Sequence, residues 1–479
     1  MDKLSRKEKI SYGLGDMSSN IIFAAISFYL LYFMVSVAGL NAGLAGLIFI
    51  IAKLWDAITD YFMGVLSDRT QSKWGKRRVY MLFGAIPYGL AFVLLWFSPF
   101  TPASEQWVKF LYYTLAYMTF NTVWTIVYVP YNALTANMTK DYDERTSLNG
   151  IRIICANIGM LMGAALFALF AEGEGSIFAE LFGSVKNGYL ASGFLFGIIA
   201  AGIMLLSAKG VKERYESTAT YDKPLRTTLK EFFQMSEFRN TMMYYLLSMV
   251  GFDIIMAVFL FFVNDALKFG AVGGGEISMI FIALPLVVAI ASAMLWVKLS
   301  EKYNKVKVYS FAVVWISIAL VACIFIPSYG AVPDWLAYGA LALTVIGVGI
   351  GMSAVQILPW ASVPDVVEVD EWKHGVRREG AYYGVVQFMY KLASGFSVAF
   401  VGWLLRLFGY LESIDGVILT QPDSALLAIR FAIGLLPGIL FLISVRFGRR
   451  ANLDRDRFNE IKQEIQARTS IKDDSKVQK

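Results

Sequence analysis

Apolar stretches of about 20 residues recur along the whole chain, and that is the helical length needed to cross roughly 30 Å of hydrocarbon. Twelve such spans lie near positions 14 to 37, 43 to 66, 79 to 98, 108 to 136, 148 to 171, 188 to 207, 240 to 264, 276 to 299, 308 to 327, 336 to 360, 380 to 407 and 426 to 445. Backbone at that depth finds no water, so each stretch must satisfy its own hydrogen bonds by coiling into a helix. The expected fold is an all-α membrane protein of twelve transmembrane helices. Composition agrees: of 479 residues, 57% are hydrophobic and only 17% charged, too few charges to cover a soluble surface of that size.

Lysine and arginine collect in alternate connections. The first segment carries Lys3, Arg6, Lys7 and Lys9, and later groups are Arg69 with Lys73, Lys76, Arg77 and Arg78; Lys209, Lys212 and Arg214; Lys302, Lys305 and Lys307; and Lys373, Arg377 and Arg378. The intervening connections are nearly free of them, which places both termini in the cytoplasm of a cell whose plasma (bacterial inner) membrane holds the chain. The first segment is polar and runs into a full-length span, so no cleavable signal peptide is expected.

The longest polar interior stretch, Lys209 to Arg239, follows the sixth span. It divides the chain into an N-terminal bundle (1–208), a cytoplasmic linker (209–239), a C-terminal bundle (240–445) and a tail (446–479). A faint internal repeat supports two pseudo-symmetric six-helix halves: Ser67-Asp68-Arg69 before Arg78-Val79-Tyr80 echoes Ser300-Glu301-Lys302 before Lys307-Val308-Tyr309. In the tail, Leu453, Phe458, Ile461 and Ile465 are spaced for one face of a short interfacial or solvated helix.

Several chemistries are disfavoured at once. Cys155 and Cys323 lie far apart in apolar stretches, and His374 is the sole histidine, so neither a disulfide framework, a zinc site nor a histidine-based triad fits. The basic surplus follows topology rather than forming a phosphate-binding surface, so no nucleic-acid partner is expected. No nucleophile and base set occurs at a plausible depth, and the chain does not read as an enzyme.

An ionisable side chain at mid-bilayer costs about 2.5 to 3.5 kcal/mol on insertion scales, so each one needs a reason. The second span contains Lys53-Leu54-Trp55-Asp56-Ala57-Ile58-Thr59-Asp60. Asp56 and Asp60 are four residues apart on one helix face, with Lys53 a turn earlier. Lys53 is expected to neutralise one carboxylate and leave about one negative charge, inviting a monovalent cation: Na+ held by Asp56 and Asp60 with help from Thr59, or a shared proton. The echo in the second half places Ala289 and Ala293 at the corresponding positions, so the device belongs to one half alone.

Further polar residues within spans are Asn20, Tyr128, Arg152, Asn157, Asp253, Gln387, Tyr390 and Lys391. Arg152 and Lys391 come from opposite halves; they either line a central cavity for an oxygen-rich or anionic cargo or neutralise Asp56, Asp60 and Asp253 across the bundle. Trp55, Trp124, Tyr128, Trp360, Tyr382 and Tyr383 supply aromatic faces. The loop Gly64-Val65-Leu66-Ser67-Asp68-Arg69, with Gly75-Lys76-Arg77-Arg78 behind it, combines a glycine, an acid and bases able to form ion pairs that break as the halves rock. It resembles the signature loop of the major facilitator superfamily.

Within that superfamily the chain resembles the glycoside-pentoside-hexuronide:cation symporters, the group typified by melibiose permease, over essentially its whole length. The resemblance is carried by Tyr12-Gly13-Leu14-Gly15, Leu54-Trp55-Asp56-Ala57-Ile58-Thr59-Asp60 with Met63-Gly64, Trp74-Gly75-Lys76, Val129-Pro130-Tyr131, and Pro364-Asp365-Val366-Val367 through Glu371-Trp372-Lys373 to Arg377-Arg378-Glu379-Gly380. It implies a monomeric symporter without a cofactor. Asp56 and Asp60 would be the cation site beside Lys53, the coupling ion Na+ or H+, and Arg152 and Lys391 would face the cavity. Cargo contacts are then expected from Asn20, Tyr128, Arg152, Asp253, Trp360, Gln387 and Lys391, and gating from Asp68, Arg69, Arg77 and Arg78.

Where the type member carries sugar-gripping carboxylates in spans one and four, this chain has Asn20 and Tyr128, which argues against melibiose itself as cargo. Leu358-Pro359-Trp360, Ala133-Leu134-Thr135 and Lys391-Leu392-Ala393-Ser394-Gly395 are similar to the sodium-dependent lysophosphatidylcholine symporters, so a lysolipid is the alternative cargo beside a sugar, glycoside or uronide.

Overall fold

A computed structural model describes residues 4–101, 104–139, 142–173, 175–214, 225–374, 379–412, 419–451, 460–461 and 463–464. Arg377, Arg378, Leu453, Phe458 and Ile465 lie outside the described residues, as does 215–224 of the linker.

Twelve long helices are present among the described residues. In the first half they are α1 (Arg6–Ala25, prolonged through π-helical turns at Ile26–Leu30 and Phe33–Val37), α2 (Ala42–Arg69), α3 (Arg78–Trp96), α4 (Gln106–Ala133), α5 (Tyr142–Leu161, continued by Met162–Leu166 and Phe167–Ala171) and α6 (Val185–Gly210). The second half holds α7 (Ser236–Leu260 with a π-helical end, Phe261–Ala266), α8 (Gly270–Lys302), α9 (Lys305–Ile324), α10 (Asp334–Trp360), α11 (Glu379–Leu407) and α12 (Asp423–Ala451). Ten of them are long and apolar enough to cross a membrane. The remaining two, α1 and α4, fall short in apolarity because α1 opens on charges and serines and α4 is rich in Tyr, Thr and Asn. Among their polar residues, Asp16, Asn20, Thr125, Tyr128 and Asn132 belong to the site described below.

Helix α1 begins eight residues before the apolar stretch that marks it in the sequence. Ser5 and Glu8 form a capping box, each side chain satisfying the other's backbone N–H, so the helix starts in polar sequence. Within the first half α1 packs on α5 and α6, α3 on α4 and α6, and α2 on α4; within the second, α7 packs on α12 and α11, α8 on α10, and α9 on α10 and α12. The halves meet along α2–α11, α5–α8 and α1–α7.

The repeat is visible in chemistry as well as order. Arg77, just before α3, donates to the carbonyl of Ala133 at the end of α4; Lys305, opening α9, donates to the carbonyl of Ala361 just past α10 (3.0 Å). Pro130 and Pro359 occupy matching places near the ends of α4 and α10.

Part of the linker and one described residue of the tail pack on the second half. Leu225–Gln234 is a helix whose Phe232 is fully buried and stacks on Tyr382, with ring centroids 3.8 Å apart. Ile461 of the tail is buried in the same apolar cluster with Val366 and Val386, so this residue docks on the second half instead of lying in solvent.

Candidate functional site

Helices α2 and α11 cross closely because small residues face each other. A Cβ built on Gly46 would lie 2.8 Å from the Ala399 carbonyl oxygen, and one on Gly402 would lie 2.4 Å from that of Ala42. Gly46, Ala399 and Gly402 therefore act as the small-residue seam by which helices approach in lipid. Farther along the seam Gly395 receives the stem of Lys53, and one turn beyond it Lys391 reaches across to α2.

Lys391 Nζ lies 2.9 Å from Asp56 Oδ2 and also pairs with Asp60 Oδ2. The Thr125 hydroxyl of α4 is within bonding reach of both carboxylates, 3.0 Å from Asp56 Oδ1 and 2.9 Å from Asp60 Oδ1. A hydroxyl has one proton, so it serves one carboxylate at a time and offers its lone pairs to any cation between them. Thr59 does not reach the carboxylates directly; it donates to the Asp56 carbonyl (3.0 Å) and sits 3.4 Å from the Thr125 oxygen. Asp56 is about 21 Å along α2 by helical rise, near its middle.

The counter-ion is a correction to the reading of the second span by itself. Lys391 of the other half, not Lys53, neutralises the carboxylates, because the α2–α11 seam brings its ammonium between them while the Lys53 stem is held against Gly395. Lys53 makes no ion pair among the described residues, but it interacts electrostatically with Asp56 and with Asp253 of α7. Asp253 is buried; it accepts from the Tyr390 hydroxyl at Oδ1 (3.3 Å), and among the described residues its Oδ2 has no hydrogen-bond partner. Three carboxylates against two ammonium groups leave one formal negative charge in the cluster.

A second polar cluster lies one turn further along α4. Asp16 of α1 is buried and pairs with Arg152 of α5, whose Nη2 also lies 3.2 Å from Asp16 Oδ1. Tyr128 donates to the same oxygen (3.3 Å), Asn132 accepts from Arg152, and the guanidinium rests over the rings of Tyr131 (5.3 Å) and Tyr12 (5.9 Å). Asn20 donates to the Asp16 carbonyl (2.9 Å). Thr125 and Tyr128 are three residues apart, so the two clusters are about 4.5 Å apart along the helix axis.

Asp16 and Thr125 were not singled out from the sequence. Their signal was the helical spacing of polar residues: Tyr12, Asp16 and Asn20 at intervals of four, and Asn121, Thr125, Tyr128 and Asn132 on one face of α4. Asn121 and Thr122 reinforce that face by bonding the Ala52 carbonyl (2.9 Å) and Trp55 Nε1 (2.8 Å) of α2.

The other candidates are spread out. Gln387 is exposed on α11, one turn from Lys391. Trp360 lies instead among the aromatics of the second half, with Tyr245 and Tyr383 each 5.4 Å away. Among the loop residues Arg77 is buried and pairs with Asp68 (3.1 Å), Arg78 Nε bonds the Ala208 carbonyl (3.0 Å), and Arg69 is exposed. Glu213 accepts from the backbone N–H groups of Lys76, Arg77 and Arg78, each at 2.9 Å, and so caps α3. Gly75 admits that carboxylate because its φ of +102° suits glycine and a Cβ would meet Glu213 Oε1 at 2.7 Å.

Comparison with known proteins identifies the family. An uncharacterized symporter of Synechocystis sp. is 29% identical, over 98% of each chain. A putative glycoside/cation symporter of Escherichia coli is 27% identical over 92% of this chain and 90% of its own. The crystal structure of a D-xylose-proton symporter superposes with a TM-score of 0.62 at 14% identity, covering 92% of this chain and 96% of that one, which is a likeness of fold. The family described as MFS/sugar transport protein matches residues 11–455, nearly the whole chain. This protein is therefore a multi-pass membrane transporter, not an enzyme, and it belongs to the sugar-transport family of the major facilitator superfamily.

Proposed function

We propose that the chain is a cation-coupled symporter that carries a sugar, glycoside or uronide by alternating access, with Asp56 and Asp60 as the coupling site. The observation that carries this reading is Lys391, an ammonium seated between two mid-helix carboxylates and supplied by the opposite half. An incoming Na+ or proton takes over the charge that Lys391 balances. Lys391 is then free to swing away, and the contact that ties α2 to α11 changes with cation occupancy. A coupling ion must have such a differential effect on the two conformations.

The cargo reading rests on the second cluster. Asp16, Arg152, Tyr128 and Asn132 offer paired donors and acceptors suited to sugar hydroxyls, with the Tyr12 and Tyr131 rings beneath. Their proximity to Thr125 gives cargo and cation a shared wall. Asn20, Gln387 and Asp253 remain cargo-side candidates, and Trp360 would serve from the second half. The lysolipid alternative loses its main support, since the cation meant to meet the headgroup is engaged by Asp56 and Asp60. Residues 1–208 and 240–445 would move as the two rocking bodies, with both termini cytoplasmic and the Asp68–Arg77 pair among the contacts that change.

Reconstitution into proteoliposomes tests the proposal. With a panel of labelled glycosides and uronides, an imposed Na+ or proton gradient should drive accumulation by the wild type, and Asp56→Asn should abolish it while inserting normally. Gradient-driven accumulation by that variant would overturn the assignment.

A further inference from the structure

The end of the bundle remote from Arg6 contains two carboxylates that the coupling site does not use. Glu172, immediately after α5, and Asp265, in the π-helical end of α7, come from opposite halves and are both buried. Asp265 accepts from Tyr410 (2.7 Å), which is also bonded to Ser36 of α1 (2.8 Å). Glu172 accepts at Oε1 from the Asn264 carboxamide of α7. Among the described residues its other oxygen, Oε2, has no hydrogen-bond partner, and neither has Asn264 Oδ1 nor the Tyr32 hydroxyl.

Two orphaned acceptors on the same bonded pair of groups share one deficiency. An ionised carboxylate is acceptor-only and the carboxamide has one acceptor oxygen; the Ser278 hydroxyl neighbours Glu172 and the Tyr32 hydroxyl neighbours Asn264, but neither closes a bond to Oε2 or Oδ1. A buried unsatisfied acceptor costs about 1 to 3 kcal/mol. One proton on Oε2 turns the carboxyl into a donor toward Asn264 Oδ1 and satisfies both atoms together. The remaining titratable groups felt by Glu172 are Asp265, Tyr29, Tyr32 and Tyr189, none of them cationic at neutral pH. Of the buried or half-buried basic side chains at this end, Lys109 donates to the carbonyls of Ala38 and Gly39, Lys186 to that of Phe100, and Arg430 to those of Ile324, Ile326 and Ala266.

We propose that Glu172 is a second proton-binding site, separate from Asp56 and Asp60, and that its proton latches this end of the transporter shut by completing an acid–amide pair with Asn264 across the two halves. Closing takes one proton from solvent onto Oε2, and opening returns it. Burial pushes the Glu172 carboxyl up to about 7, whereas a solvated glutamate titrates near about 4.3. The sign follows: between those values the closed form holds a proton that the open form releases. Acid therefore favours closure, and the ratio of closed to open falls by up to about tenfold per pH unit across the window. Above about 7 both forms are ionised and the dependence levels off.

The latch makes no assumption about cargo or coupling ion, so its test is independent of transport. Spin labels at Phe182→Cys and Trp335→Cys, exposed at this end of opposite halves, would be read by pulsed dipolar spectroscopy on the full chain in nanodiscs, with Cys155→Ala and Cys323→Ala as background. The closed distance should dominate at pH 5 and lose up to about a hundredfold in closed-to-open ratio by pH 7. Glu172→Gln carries a permanent N–H donor in place of the acid and should stay closed at both values. Asn264→Ala, a check should the glutamine variant fail to fold, should be less closed than wild type at pH 5. A wild-type distribution that does not change between pH 5 and 7, or a glutamine variant that opens with pH as wild type does, overturns the proposal.

Discussion

Replacing Lys391 by methionine tests whether its ammonium competes with the transported cation. Methionine keeps most of the stem and removes the charge. Lys391 contacts Asp56 Oδ2 at 2.9 Å and pairs with Asp60 as well, so cation entry must displace two charge-assisted bonds. Each such bond is worth about 1.5 to 3 kcal/mol, and the recovered hydration of the released ammonium offsets roughly one of them. The net barrier to occupancy is then about 1.5 to 3 kcal/mol, and removing it should tighten cation affinity about ten- to hundredfold at 1.4 kcal/mol per decade. Stability should move the opposite way without the cation: unpairing the buried carboxylates costs about 3 to 5 kcal/mol, which bound cation would restore. Isothermal titration with Na+ at pH 8.5, where protons compete less for the carboxylates, reads the first effect, and a cation-dependent melting scan reads the second. Equal or weaker affinity in Lys391→Met would show that Lys391 is a ligand or a strut and not a competitor.

Thr125→Val keeps the side chain's shape but removes the hydroxyl shared by Asp56 and Asp60; loss of one charge-assisted bond should lower stability by about 1.5 to 3 kcal/mol in thermal or denaturant unfolding and weaken Na+ binding. Asp16→Asn leaves the Arg152 guanidinium without its carboxylate and should destabilise by about 3 to 5 kcal/mol; in a double-mutant cycle Asp16→Asn with Arg152→Gln should fall well short of the sum of the single losses. Gly46→Leu forces the first branch of a side chain into Ala399 backbone, so α2 and α11 must separate; the expected result is normal membrane insertion with cation-driven uptake lost, checked by vesicle transport.

Much of the architecture was legible because the bilayer imposes it. Long apolar runs gave the helices, and the Lys209–Arg239 stretch marked the middle of the chain. The start of α1 was hidden, since Ser5 and Glu8 cap it through hydrogen bonds instead of hydropathy. In the site, Asp56 and Asp60 were visible because two acids a turn apart within a span have no bland reason to be there. Their partner was left between alternatives: Lys53 is the nearest base in sequence, and Lys391 was open to either a cavity or a neutralising role, which a crossing fixed by Gly46, Ala399 and Gly402 decides for the carboxylates. Helical spacing shows which residues share a face but not which face of another helix they meet. Asp16 lies inside the predicted first span but at its polar start, beside Ser18, Ser19 and Asn20, where an acid reads as the edge of the helix and not as part of a site.

The central claim is that Asp56 and Asp60 hold the coupling cation, and equilibrium cation binding to purified protein tests it without knowledge of the cargo. Wild type should bind one cation saturably, as Na+ or as a proton taken up on lowering pH, and both Asp56→Asn and Asp60→Asn should lose that binding while remaining folded. Unaltered stoichiometry and affinity in either variant would contradict the account.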